Sequence, residues 1–509
     1  MRIHALALAG TGLAGLIGVS TPQMPVQRVA PDTGQCRRAP PLPPLTSEVE
    51  QAQARQQGEM LRESPATMTD EAPPPPPPPP PPAPEEASAP PGSDIAVTGS
   101  RAGRGSARPP AVIAPPPIVA APAPPPLATG PSAFAPRDPR EQPAPAGLLT
   151  AGEHDDLLNP ELYARYVADF LKGETLAGVP RVDTARVLTV AVRDARGQPV
   201  PFAPVTLTCA DGNRLTLATL ADGQATFFPD LDRLGGEVMI GVAGALPRRA
   251  VLSPTPGAVV QSVTLPAGGQ AVRALDLALV VDTTGSMSDE LGFLQSELRA
   301  IVARTAVAHP GLSLRVALIF YRDRGDRYVT RTSAFTGDLD RIQGDLARQS
   351  ADGGGDLPES MEVAMARAAA LPWRAGAVKS LFLVADAPPH ADDVAATWAA
   401  AEALRANRVQ IVPVAASGVD RGAEYVMRAM AAASQGRYLF LTDDSGIGNP
   451  HAPPAIDCYR VTRLADAMAH VIDSQLSGRR IEATPAEVIR TVGTYDAGRC
   501  VLPQGWERQ

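Results

Sequence analysis

"VVDTTGSMSDE" (Val280–Glu290) closes an apolar run and opens a helical pattern. Within it, Asp282, Thr283, Thr284, Gly285 and Ser286 set a carboxylate, three hydroxyls and a glycine side by side. The residues before it, "LDLALVVD", read as a buried strand. The residues after it, "ELGFLQSELRAIVARTAV", read as a helix with Leu291, Leu294, Leu298 and Val302 on one stripe. The polar cluster therefore caps a strand at its carboxyl end, where open α/β sheets bind ligands.

Working outward, strands and helices alternate. "LRVALIFY", "YVTRTSAF", "VKSLFLVAD", "VQIVPVAAS" and "RYLFL" read as strands. "DLDRIQGDLAR", "PESMEVAMARAAA", "VAATWAAAEALRAN" and "AEYVMRAMAAAS" read as helices, and "CYRVTRLADAMAHVIDSQLSG" as a final one. Apolar runs separated by helices imply an α/β fold, a doubly wound and mostly parallel sheet covered on both faces. Two further acidic loops fall at or beside strand ends: "DGGGDLPES" from Asp352 and "DAPPH" from Asp386.

Upstream the period changes to two. "VLTVAVRDARGQPV", "APVTLTCADGNRLTLATLADGQATFFP" and "EVMIGVAG" alternate as short strands with Asp211-Gly212 and Asp222-Gly223 turns, which predicts a small antiparallel sandwich. Cys209 alternates with Val205 and Leu207 and reads as a core residue. "NPELYARYVADFLKG" precedes the sandwich as a helix, with Asn159 at its cap and Pro160 in its first turn. Still earlier, the Pro73–Pro82 run and "APPPIVAAPAPPP" predict an extended, disordered spacer over 21–150. "DIAVTGSRAGR" (Asp94–Arg104) interrupts it and resembles the short leader of TonB-dependent receptors, although no plug or barrel follows. The first 20 residues fit a secretory signal, one Arg before an apolar stretch too short to span a bilayer. The protein is therefore expected to be exported to the periplasm or cell envelope, with possible anchoring through the N-terminus. In that oxidising space Cys458 and Cys500, which flank the last helix, are the candidate disulfide. Aromatics make up only 4% of the chain, so Ala, Val, Leu and Ile must build the core. A net charge of −8 without a basic block excludes nucleic acid as a partner.

Three chemistries compete for "DTTGSM". A phosphate loop needs a Lys after its glycine, and none stands here. A nucleophile elbow needs G-x-S-x-G, whereas Gly285 adjoins Ser286 directly. An aspartyl-phosphate site needs a second Asp where Thr284 stands. Coordination of a hard cation fits: positions 282, 284 and 286 offer one carboxylate and two hydroxyls, and Thr283 points away. With its two later acidic loops, the motif resembles the von Willebrand factor type A domain with a metal-ion-dependent adhesion site, over roughly 275–478. The sandwich pattern resembles Ig-like or carboxypeptidase-regulatory modules of secreted bacterial proteins.

That resemblance implies Asp282, Thr284, Ser286, Asp356 and Asp386 as ligands of Mg²⁺ or Ca²⁺. Asp356 stands where the family usually has Thr. A third carboxylate neutralises the ion further and weakens its pull on a partner's carboxylate. Glu359 is expected to complement the dipole of the following helix, and His390 to lie near the site. Asp323 and Asp326, within "YRDRGD", are expected to border the metal face, and Asp443 and Asp444 are weaker candidates for a second cation. The expected organisation is 1–20 signal peptide, 21–150 spacer, 151–270 helix plus sandwich, 271–480 metal-binding domain and 481–509 tail. The expected function is non-enzymatic: metal-dependent binding of an unknown protein ligand. The rivals are an envelope protein whose metal only staples loops, and a metal-assisted hydrolase using Asp282 or His390.

Overall fold

The computed structural model describes residues 34–37, 40, 42, 149–173, 176, 178–179, 181–266, 268–355, 357–446, 451 and 454–502. The expected signal peptide, the proline run and Asp94–Arg104 lie outside the described residues.

Strand β1 (Thr150–His154) and helix α1 (Pro160–Gly173) open the chain of elements. Seven strands follow: β2 (Arg186–Asp194), β3 (Pro204–Thr208), β4 (Arg214–Ala218), β5 (Gln224–Phe227), β6 (Glu237–Val242), β7 (Arg248–Val251) and β8 (Gly257–Leu265). They form two sheets, ordered β5-β2-β8 and β4-β3-β6-β7, around one apolar cluster that includes Val190, Val205, Leu217, Phe227 and Ile240. Strands β3, β4 and β6 bury alternate residues, as a half-covered pleated sheet requires. One expectation is corrected: β2 runs parallel to β8, so the sandwich is mixed.

A second set of elements alternates. It comprises β9 (Ala274–Asp282), α2 (Ser288–Ala308), β10 (Ser313–Tyr321), β11 (Thr330–Thr336), α3 (Leu339–Ala347) and α4 (Met361–Ala369). It continues with β12 (Val378–Ala385), α5 (Val394–Ala406), β13 (Gln410–Ala415), α6 (Arg421–Ser434), β14 (Tyr438–Thr442), β15 (Tyr459–Arg463), α7 (Leu464–Ser477) and β16 (Arg490–Val492). The nine-stranded sheet has the order β11-β10-β9-β12-β13-β14-β1-β15-β16, and β10, β9, β12, β13 and β14 run parallel at its centre. Because side chains alternate across a strand, β9 feeds both faces. Ala278 and Val280 pack with α1, α4, α5 and α6, while Leu277, Leu279 and Val281 pack with α2, α3 and α7. The sheet is doubly wound, as expected from sequence.

Three elements depart from the sequence expectation. The segment expected to begin the last helix, Tyr459–Arg463, is strand β15, and the helix starts at Leu464. Strand β1, a strand the sequence reading did not expect at the spacer's end, lies antiparallel between β14 and β15, and β16 of the expected tail extends the same sheet. Gly34–Arg37, expected to be disordered, packs on the sandwich. Cys36 is bonded to Cys209, and the amides of Cys36 and Arg37 donate to the carbonyls of Arg233 and Asp232. Cys209 lies in the sandwich core as expected and is cross-linked there as well. Cys458 and Cys500 form the expected second disulfide.

Candidate metal centre

All central strands are parallel, so their carboxyl ends share one edge of the sheet. Asp282 ends β9, Tyr321 ends β10, and Asp386 follows β12. After Asp282 the backbone makes a single 3-10 turn (Gly285–Met287) before α2, which presents alternate side chains of "DTTGS" to a common point. Thr284 donates to Asp282 Oδ1 twice, from its amide at 2.9 Å and its hydroxyl at 2.8 Å, and its Oγ1 lies 3.4 Å from Ser286 Oγ. Ser286 in turn hydrogen-bonds Asp386. Thr283 points the other way, its hydroxyl 2.8 Å from the Tyr321 carbonyl and 2.7 Å from the Tyr328 hydroxyl.

The glycine loop seals this turn from above. Gly285 donates to the Gly353 carbonyl, and Asp352 donates to that of Thr283. Gly353 and Gly354 both have positive φ. A Cβ on Gly353 would collide with the Asp326 carboxylate, and one on Gly354 would sit 3.1 Å from Glu359 Oε1 and 3.3 Å from Thr284 Cβ. Glycine is required here for conformation and for close approach. Asp356 lies outside the described residues.

Asp282, Asp386 and Glu359 are all buried. Burial, and then the neighbouring Asp386 charge, pushes Asp282 up to about 7. Burial pushes Asp386 up to about 6 against the stabilising hydrogen bond from Ser286. Burial, followed by the charges of Asp282 and Asp323, raises Glu359 to about 10. One oxygen of each, Asp282 Oδ2, Asp386 Oδ1 and Glu359 Oε2, is buried without a hydrogen-bond partner among the described residues. Unpaired buried carboxylate oxygens are costly, and a cation is the partner that relieves both their desolvation and their repulsion. Among the described residues no three acidic, histidine or cysteine side chains close on one point. The donor set that fits is therefore carboxylates completed by the Thr284 and Ser286 hydroxyls, an all-oxygen set suited to a hard cation.

Sequence reasoning placed Glu359 as a dipole-complementing charge in a helix. It instead precedes α4 in a short parallel bridge to Pro389, its amide donating to the Pro388 carbonyl, with its carboxyl in the cluster. The signal for this was weak: one Glu beside a Pro. His390 Nε2 is 2.6 Å from Asp323 Oδ1, which also accepts from Ser360 Oγ at 3.2 Å. Asp326 accepts from the amides of Asp323 and Gly354, so both aspartates border the acidic cluster. Arg324 pairs with Asp393 and Glu362, which ties the Arg-Gly-Asp stretch into the fold. Asp444 pairs with Arg490, and Asp443 with His451, so these two carboxylates already have cationic or imidazole partners. Beyond His451 the chain of contacts continues to the Ser417 hydroxyl at 3.1 Å and Glu290 Oε1 at 2.8 Å from it, a tie between two loops of this edge and the first turn of α2. No described helix is long and apolar enough to cross a membrane.

Residues 276–448 match the model of the von Willebrand factor A domain. An ariadne-like RING finger protein of Acanthamoeba polyphaga mimivirus is 34% identical over 119 residues, which are 23% of this chain and 11% of that relative's length. Among solved structures, the pilus adhesin SpaC of Lactobacillus rhamnosus GG is 14% identical over 48% of this chain and 31% of its own, with a TM-score of 0.29. An aerotolerance-related membrane protein of Bacteroides fragilis is 12% identical over 40% of this chain and 99% of its own, with a TM-score of 0.26. These two are likenesses only. With its doubly wound sheet and this match, the chain carries a von Willebrand factor A domain over residues 276–448.

Proposed function

We propose that this domain binds a protein partner through a divalent cation, Mg²⁺ or Ca²⁺, held by Asp282, Thr284, Ser286 and Asp386 and completed by Asp356. The observation that carries the reading is the pair of orphaned, buried oxygens Asp282 Oδ2 and Asp386 Oδ1 beside two hydroxyls. The cation's role is to neutralise this cluster and offer a remaining coordination position to an oxygen of the partner. The rim favours docking: Gly285 and Gly353–Gly355 are exposed, and Leu357 leaves about half of its apolar surface (49%) in solvent. With Asp356 as a third carboxylate, the ion attracts anionic donors less, so a neutral oxygen donor on the partner is favoured over a carboxylate. Two disulfides support an exported protein, because oxidising compartments preserve such bonds.

Isothermal titration of Mg²⁺ and Ca²⁺ into wild type, Asp282→Asn and Asp356→Thr tests the ligand set. Saturable binding by wild type and loss in Asp282→Asn are expected, and affinity unchanged by Asp356→Thr removes that residue from the set. Capture of a partner from envelope extract, with and without EDTA, then separates binding from stapling. Ser286→Ala that keeps the circular dichroism spectrum but loses EDTA-sensitive capture is the expected result. A variant that is less stable but, where still folded, captures the partner undiminished favours the staple.

A further inference from the structure

The edge of the sheet opposite the carboxylates holds a cavity of about 240 Å³, between the sandwich and the starts of β12 and β13. Its apolar wall includes Phe202, Pro204 and Leu220, and its polar end includes Lys379, Asn407 and Arg408. Both cations are more than nine-tenths buried, at 8% and 7% exposure. Lys379 Nζ donates to the Asn407 carbonyl at 2.7 Å, and Arg408 Nη2 donates to Gln435 Oε1 at 2.7 Å. Among the described residues neither forms an ion pair with a carboxylate, and Arg408 Nε is buried there without a hydrogen-bond partner.

The nearby acids are already engaged. Asp276, across from Lys379 on β9, accepts from both Arg315 and Arg374. Asp232 is held by Arg405 at 2.7 and 2.8 Å, and Asp222 accepts from the amide of Gln224. The charges of Asp276 on Lys379 and of Asp222 and Asp232 on Arg408 act without a direct ion pair among the described residues, so an anion that contacts both buried cations is favoured. Burial, and then the Arg405 charge, pulls Arg408 down to about 9, and burial lowers Lys379 as well.

We propose that this cavity binds a small organic carboxylate, its oxygens held between Lys379 Nζ and Arg408 Nε and its short carbon chain against Phe202, Pro204 and Leu220. The apolar wall distinguishes this ligand from inorganic phosphate, which has nothing to place there. The cavity is also smaller than a drug-sized site, which limits the ligand to a few carbons. Because the lining comes from both the sandwich and the A domain, the ligand bridges them. The site is independent of the metal centre.

Titration of butyrate and of inorganic phosphate into the full chain, in chloride buffer near neutral pH, is the test. Saturable butyrate binding at one site, tighter than phosphate, is expected. Lys379→Met and Arg408→Asn should each weaken it roughly tenfold or more, the loss of one charge-assisted hydrogen bond. Asn tolerates the left-handed backbone of position 408, where φ is +61°. Should either variant fail to fold, Ala218→Leu narrows the cavity from its lining and leaves both cations in place; it should also lose butyrate. No saturable butyrate binding by wild type overturns the site. Phosphate binding tighter than butyrate overturns the ligand class, and undiminished binding in the folded variants overturns the location.

Discussion

At the scale of single residues, the A domain concentrates its electrostatic cost at Asp282, Asp386 and Glu359. An unfolded chain ionises such carboxyls near pH 4, whereas Asp282 and Asp386 hold their protons up to about 7 and about 6. Between these values the folded state binds more protons than the unfolded one. Metal-free stability is therefore full below about pH 4 and declines as pH rises through 6 to 7, by an amount on the order of a few kcal/mol. A bound cation favours the ionised forms, so the rise in Tm produced by Mg²⁺ should grow from pH 5 to pH 8. Thermal unfolding at several pH values, with Mg²⁺ or EDTA, measures this; a pH-independent rise would remove these aspartates from the site. Asp282→Asn removes the buried charge and should raise the metal-free Tm at pH 8 while abolishing the response to Mg²⁺. Gly354→Ala tests the loop above the site. Its positive φ and its contact with Glu359 and Thr284 predict a loss of about 1–3 kcal/mol in chemical denaturation, with weaker metal binding.

At the scale of elements, β9 has the greatest consequence, because its alternate residues enter the cores on both faces and its last residue is Asp282. Leu279→Ala should cost about 2–5 kcal/mol by leaving a cavity under α2 and α7. If β9 positions Asp282 as described, this variant also weakens metal binding; intact affinity at reduced stability would show that the turn holds itself. The strand was legible in the sequence because a doubly covered strand reads as an apolar run, and α2 was legible because its stripe repeats at helical spacing. Tyr459–Arg463 was not legible. Five residues beside a strongly periodic helix look like its first turn, and only pairing with β1 and β16 makes them a strand.

At the scale of the whole molecule, long-range ties hold segments that no local pattern connects. Arg428 of α6 is almost wholly buried, bonded to Asp156 by Nη2 at 2.7 Å and by Nε at 3.1 Å, and stacked 3.8 Å from the Tyr166 ring centroid. Together with the Phe170–Tyr425 stack at 4.2 Å, it fastens β1 and α1 to the A domain. Arg428→Ala leaves Asp156 buried with only His154 beside it and should destabilise the protein by about 3–5 kcal/mol in urea unfolding. A loss under 1 kcal/mol would mean that the apolar contacts alone hold α1. By itself the sequence determined the periodicities, and with them the doubly wound sheet, the strands of the sandwich and the three loops that carry Asp282, Asp356 and Asp386. These depend on local spacing and on motifs a few residues long. Only the tertiary structure decided that β1 and β16 join the large sheet, that Cys36 meets Cys209 across 173 residues, and that Glu359 turns into the acidic cluster. The reason is physical: sheet pairing, disulfide partners and buried charge depend on neighbours brought together by folding, and a linear pattern records none of those distances.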